Sequence, residues 1–257
     1  MIDIHKTAII SPASRIGSDV KVGPNTIVEG GVVIGDGCEI ASNALLAEGA
    51  VLGKNVRVFH GAVIGTMPQD LKFSGERTTV TIGDNSIIRE YATINRGTSA
   101  RGETTIGQNT VVMAYAHVAH DCIIGNNVIM ANAVNLAGHV EVDDCAILGG
   151  VLPVHQFVKI GSHAMIGGGF RVQQDIVPYA LVGGYPLRVI GINAVGLKRR
   201  GFKGETIRVL EKVFKILFFS KLNTSQAVER IKDEVDIIPE VQTILDFIDR
   251  SDRGIVK

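Results

Sequence analysis

Five of the seven histidines, His117, His120, His139, His155 and His163, fall within 47 residues of a 257-residue chain. One of them precedes an acid, in His120-Asp121, and another follows a glycine, in Gly138-His139. An imidazole titrates near neutrality, and a carboxylate beside it makes a general-base arrangement. An unhindered glycine N–H close by can hold an oxyanion. No serine or cysteine stands as an obvious nucleophile; Cys122 is two residues from His120 but needs the opposite exposure. These residue types favour direct base-assisted transfer over a covalent intermediate.

Such residues act together only if the fold stacks positions that are far apart in sequence, and the sequence repeats in a way that does so. Every sixth residue from Ile4 to Ile64 is a branched aliphatic. The pattern resumes at Ile82, Ile88 and Ile94, then runs from Ile106 to Val172 with Met130 as its one unbranched member. The next residue is often glycine, as at Gly17, Gly23, Gly35, Gly125 and Gly161. A helix needs apolar returns every three or four residues, and these are missing. Period six with one inward aliphatic predicts a left-handed parallel β-helix of hexapeptide repeats. The aliphatic fills a narrow prism that excludes aromatics, which are only 5% of the chain, with no Trp.

Three hexads close one triangular coil, so residues 18 apart stack at the strand spacing of about 4.7–4.9 Å. His120, Gly138 and Gln156 then form one column, and Asp121, His139 and Phe157 the next. With His155 they meet at one corner of the prism. Adjacent strand residues point to opposite faces, so His120–Asp121 contact requires the bend of that corner. Three imidazoles, His117, His120 and His139, could instead bind zinc. The zinc carbonic anhydrases of this fold use a His-x4-His step, however, whereas this chain has His117-x2-His120, and no metal is expected.

Residues 67–79 and 97–104 lack the aliphatic at its expected place and read as loops extruded from the prism. The β-helix is expected over 1–187 and a helical domain over 188–257. In that second segment Ile207, Leu210, Val213, Phe214 and Leu217 follow helical spacing, and Pro239 suits a first helical turn. The segment carries 14 Lys/Arg against 10 Asp/Glu, so a zero net charge conceals a basic tail. The tail is either a set of solvated faces or a dock for an acidic partner. Neutrality argues against bulk nucleic-acid binding. Three scattered cysteines, no signal-like N-terminus and no long apolar run suggest a cytoplasmic protein with no membrane span.

The repeat array together with TMPQDLK, TINRGT, AHVAHDC, NLAGHV, LPVHQF and GLKRRGF resembles the UDP-N-acetylglucosamine O-acyltransferases of lipid A biosynthesis over essentially the whole chain. The resemblance implies transfer of a 3-hydroxyacyl chain from acyl carrier protein to the glucosamine 3-hydroxyl of UDP-N-acetylglucosamine. No enzyme-bound cofactor is implied, because the acyl donor is carried on the phosphopantetheine of the carrier. His120 is the implied base, Asp121 its partner and Gly138 the oxyanion donor. His117, His139, His155, Gln156, Gln69, Asp70 and Lys72 are implied substrate contacts, with Asn193, Arg199 and Arg200 on the nucleotide side. Gly168 aligns with the position that ends the acyl groove. Val195 stands where some members carry Glu. The family is a homotrimer with sites between subunits, and its acidic carrier favours the docking reading of the tail. A related N-acyltransferase has an added N-terminal domain, for which a repeat starting at Ile4 leaves no room. A silent scaffold would lack the histidine corner.

Overall fold

The computed structural model describes residues 2–257. Short strands, most of two residues, stack into three sheets. Face 1 has eleven strands, beginning with Asp3–Ile4. Face 2 has eight, from Ile9–Ile10 to Pro153–Val154, and face 3 has eight, from Arg15–Ile16 to Lys159–Ile160. The chain visits the faces in that order on every coil, as a left-handed parallel β-helix.

Register sets the columns. Ile4 pairs with Val22, Val22 with Ile40 and Ile40 with Val58, a step of 18. The next two steps are longer: Val58 pairs with Ile88, and Ile88 with Val112. The excess, 12 and then 6 residues, goes into two loops, 67–78 and 96–102. Both excesses are whole hexads, so the six-residue phase survives each loop. Both loops leave face 2 and return on face 3, at the corner that carries His120. Their return strands, Thr79–Ile82 and Glu103–Ile106, pair over four residues. Thr79, Glu103 and Thr104, expected in loops, are therefore strand.

The core has two inward positions per hexad where the sequence reading found one. Two residues before most of the aliphatics sits a second buried side chain, often a smaller one, as in Ala92 before Ile94, Ala116 before Val118 and Cys122 before Ile124. Small and large alternate, and the narrow prism fills without aromatics. Three residues after most of the aliphatics the corner backbone turns left-handed, with φ of 56° at Asn43, 54° at Asn109 and 56° at Asn127. Asn tolerates this region because its short polar side chain bonds locally, whereas most residues resist it.

Face 1 alone continues upward. Met165–Ile166 pairs with Leu181–Val182, and the strand Ala180–Gly183 then pairs antiparallel with Arg188–Ile192. The segment read as helical thus opens with a strand. Four helices follow: α1 (Ala194–Arg199), α2 (Gly204–Phe219), α3 (Thr224–Glu234) and α4 (Pro239–Asp249). The apolar stripe expected on α2 is buried, from Ile207 to Leu217. Asn223 and Gln226 form a capping box on α3, and Pro239 opens α4. The chain end returns to the prism, where Val256 N–H donates to the Asp175 carbonyl. Among the described residues no helix is long and apolar enough to cross a membrane.

Val151 is an exception at the left-handed corner position: it is β-branched, has φ 55°, and is 65% exposed. Left-handed backbone costs an ordinary L-residue about 1–2 kcal/mol. Val151→Asn is expected to raise stability by about 1 kcal/mol, seen calorimetrically as a midpoint about 2–4 °C higher. A lower midpoint would show that the valine makes compensating contacts.

Candidate active site

The strand His117–Val118 on face 2 ends in the corner that leads to Ile123–Ile124 on face 3. His120 and Asp121 lie in that corner, and Asp121 takes the left-handed conformation, φ 60°. The bend turns two neighbouring side chains toward each other, and His120 Nδ1 lies 2.7 Å from Asp121 Oδ2. An ionised carboxylate only accepts, so Nδ1 carries the proton and Nε2 keeps its lone pair free. That is the tautomer a general base needs.

Asp121 is fully buried. Burial works to raise its pKa, but bonds from the Thr98 hydroxyl and N–H and from His120 outweigh it and hold the carboxyl below its usual range. Its own N–H donates to Thr104 Oγ1 at 2.9 Å. Burial lowers the pKa of His117, with His120 adding repulsion, and its Nδ1 lies 2.7 Å from Thr93 Oγ1. His139 is also lowered, chiefly by burial, although Asp121 opposes the shift. Its ring meets His120 edge-on at 5.1 Å and stacks on Phe157 at 4.5 Å. The two columns expected from 18-residue arithmetic are thus in contact.

Gly138 lies over the His120 ring. A Cβ at Gly138 would sit 2.6 Å from His120 Cε1 and 2.8 Å from Nε2. Its N–H has no acceptor among the described residues, which leaves it able to meet an oxyanion. One coil higher, His155 and Gln156 share a shallow pocket with Ala137, Pro153 and Arg171. The 67–78 loop hangs beside this corner, and the Asp70 charge acts on His139. In that loop Lys72 N–H donates to Asp70 Oδ1, and Gln69 is exposed. Asn95 anchors the start of the loop with bonds from Nδ2 to Thr66 and Met67, and Arg96 stacks on Phe73 at 5.6 Å.

The remaining sequence-derived residues lie elsewhere. Asn193 caps α1 by accepting from Gly196 N–H, and donates to the His163 carbonyl. It is 5% exposed, so its amide is occupied mainly in holding the helix. Arg199 and Arg200 rim an apolar groove of about 680 Å³ lined by Ile147, Met165, Leu181 and Ile192, with Val195 at its edge. This groove lies on face 1, across the prism from the His120 corner. Gly168 sits at the corner between faces 1 and 2, and a Cβ there would lie 2.8 Å from the Gly150 carbonyl oxygen. One chain therefore brings together His117, His120, Asp121, Gly138, His139 and the Asp70 loop. Asn193, Arg199, Arg200 and Gly168 are not part of that cluster.

Sequence reasoning missed Thr93, Thr98 and Thr104, which hold the imidazoles and the acid, and the apolar groove. Thr98 lies in TINRGT, a motif quoted without a role. Ile147 and Met165 occupy outward strand positions, which the period-six pattern leaves unmarked. Cys122 is buried, donates to the Ala137 carbonyl and has its thiol pushed up to about 12, so it offers no thiolate. His120, Asp121 and His139 place ligand atoms within 4.8 Å of one another. The Asp121 oxygens already accept from Thr98 twice and from His120, and a cation would have to displace those bonds.

The hexapeptide prism places the chain in a class, the bacterial hexapeptide transferases, whose repeat model matches residues 13–48 and 103–138. Residues 175–256 match the model for domain 2 of UDP-N-acetylglucosamine O-acyltransferase. The acyl-[acyl-carrier-protein]–UDP-N-acetylglucosamine O-acyltransferase of Thiobacillus denitrificans is 46% identical over 100% of both chains. The enzyme of the same name from Thermodesulfovibrio yellowstonii is 47% identical over 100% of both. The Francisella novicida UDP-N-acetylglucosamine acyltransferase structure superposes with a TM-score of 0.95 at 39% identity, covering 98% of this chain and 93% of that one. The chain belongs to the UDP-N-acetylglucosamine O-acyltransferase family.

The contact between Gly138 and His120 gives a direct test. Gly138→Ala forces the imidazole or the backbone to move, and misplacement by about 1 Å can cost on the order of 10²-fold. A drop of about that size in turnover is expected, with circular dichroism unchanged. Full activity would show that the ring accommodates the methyl group.

Proposed function

We propose that this chain transfers a 3-hydroxyacyl group from acyl carrier protein to the glucosamine 3-hydroxyl of UDP-N-acetylglucosamine, the first step of lipid A biosynthesis. The observation that carries this is the His120–Asp121 pair, with Nε2 free and the Gly138 N–H beside it, in a chain related over its full length to enzymes named for this reaction. His120 Nε2 accepts the proton of the sugar hydroxyl as its oxygen attacks the thioester carbonyl. The Gly138 N–H holds the resulting oxyanion. Asp121 steadies the imidazolium. Collapse breaks the C–S bond, and the imidazolium returns its proton to the departing phosphopantetheine sulfur. The enzyme needs no bound cofactor for this sequence.

His117, His139, His155, Gln156, Gln69, Asp70 and Lys72 serve as substrate contacts around the base. Asn193 sets α1, so that Arg199 and Arg200 can meet the diphosphate through charge-assisted bonds. The apolar groove beside those arginines suits the acyl chain. Its place across the prism from His120 supports a homotrimer in which one subunit's corner faces its neighbour's groove. Exposed Lys198, Lys203, Arg208 and Lys215 suit an acidic carrier protein, and the reaction takes place in the cytoplasm. Val195 supplies no carboxylate to the nucleotide side.

His120→Ala is expected to lower acyl transfer from the carrier by about 10²–10⁴-fold while the assembly stays folded. Activity within tenfold of wild type would remove His120 from the role of base. Gly168 is proposed to end the acyl groove, and each buried methylene is worth about 0.8 kcal/mol. Gly168→Met should lower the ratio of long-chain to short-chain transfer, measured on mixed acyl carriers. The ratio is the proper readout because the new side chain also strains against the Gly150 carbonyl. An unchanged ratio would place the groove's end elsewhere.

A further inference from the structure

The short loop 96–102 closes on itself beside the acid of the pair. Gly97 N–H donates to the Thr79 carbonyl, and Gly102 N–H donates to the Thr98 carbonyl at 2.7 Å. A Cβ at Gly97 would lie 2.4 Å from Glu103 N, so only glycine lets the strands cross so closely. The closure presses Thr98 inward, where it is 5% exposed. There it makes two bonds to one carboxylate. Thr98 N–H donates to Asp121 Oδ1 at 2.9 Å, and the hydroxyl donates to Oδ2 at 2.7 Å. The Ala100 N–H points at Thr98 Oγ1 from 3.2 Å, which leaves the hydroxyl proton directed at Asp121. Ser99 N–H meets Glu76 at 3.3 Å, tying this loop to the one that carries Asp70.

We infer that Thr98 is a positioning residue: its hydroxyl and N–H clamp Asp121 in the one orientation that presents Oδ2 to His120. The proposal rests on His120 being the base. The carboxylate has three donors in all, and Thr98 supplies two of them. The loop is therefore a working part of the site, although none of its residues need touch substrate.

The sign of its removal follows from the bonding. The charged and titratable groups around the pair are His120 at 2.7 Å and His139 at 3.8 Å from Asp121, with the buried Cys122 thiol next in the chain, His117 beside His120, and Arg101 and Asp70 acting on His139. Thr98→Val keeps the shape and the N–H but removes one of the two donors to Oδ2. A carboxylate with fewer donors holds a proton more tightly and also pulls harder on the His120 proton. Either effect keeps the pair protonated to higher pH. The acid limb of the kcat/KM profile should therefore move upward, by about one pH unit for one charge-assisted hydrogen bond.

The test compares wild type, Thr98→Val and Thr98→Ser as folded full-length protein. It follows kcat/KM from pH 5 to 9 and the His120 imidazole titration by NMR. The expected result is an upward shift of about one unit in both for Thr98→Val, with Thr98→Ser restoring both. A Thr98→Val enzyme that is slower without a shifted profile or titration would show a merely structural role and overturn the clamp. A shifted NMR titration with an unshifted rate profile would instead count against His120 as the base and leave the clamp standing. If Thr98→Val does not fold, Thr98→Ala carries the same comparison.

Discussion

Parallel pairing at a single strand spacing decides where every side chain of the prism can go. Each coil is hydrogen-bonded to the next at an offset of 18 residues, lengthened only by whole hexads at the two loops, so a side chain's neighbours are set by arithmetic. Small and large inward residues alternate and leave no slack for a coil to rotate. The corners inherit the same rigidity. His120 and Gly138 can touch, and His139 can lie between His120 and Phe157, because their coils cannot slip. The His120–Asp121 pair sits on this rigid stack, at the corner from which both loops leave.

Within that frame the buried carboxylate carries the highest stakes. Asp121 is fully buried and survives as an anion because three donors reach it. Taking one away leaves a charge in a low-dielectric place with less support. The left-handed backbone at Asp121 is part of the same bargain. The corner position that Asn fills on several other coils is used here to turn an acid toward the residue before it.

The histidine corner was legible because it obeys the period. His120, Gly138 and Gln156 differ by 18, and so do Asp121, His139 and Phe157. The prism was legible for the same reason, and the whole-hexad loops kept the count in phase. What escaped was whatever the period does not mark. Thr98 reaches Asp121 across 23 residues from within a loop, where no offset announces the contact. Ile147 and Met165 occupy outward positions, where apolar residues look like ordinary strand surface. Only the stacked face shows that they line one groove with Leu181 and Ile192. The strand Arg188–Ile192 was hidden because its antiparallel partner ends the repeat rather than continuing it.

That final hairpin has a wider consequence. A stack of parallel coils exposes hydrogen-bonding edges at both ends, which is the geometry from which fibres grow. Here the upper end is closed: the chain reverses into an antiparallel strand, and helices pack over it. The lower end begins with two-residue strands and exposed Ile2, Ile4 and Ile9. End-to-end addition of one molecule onto another needs a lower edge to meet an upper one, and on face 1 the upper edge is taken by the reversed strand. On that face the reversed strand, with α2 packed against it, stands where the next parallel coil would go.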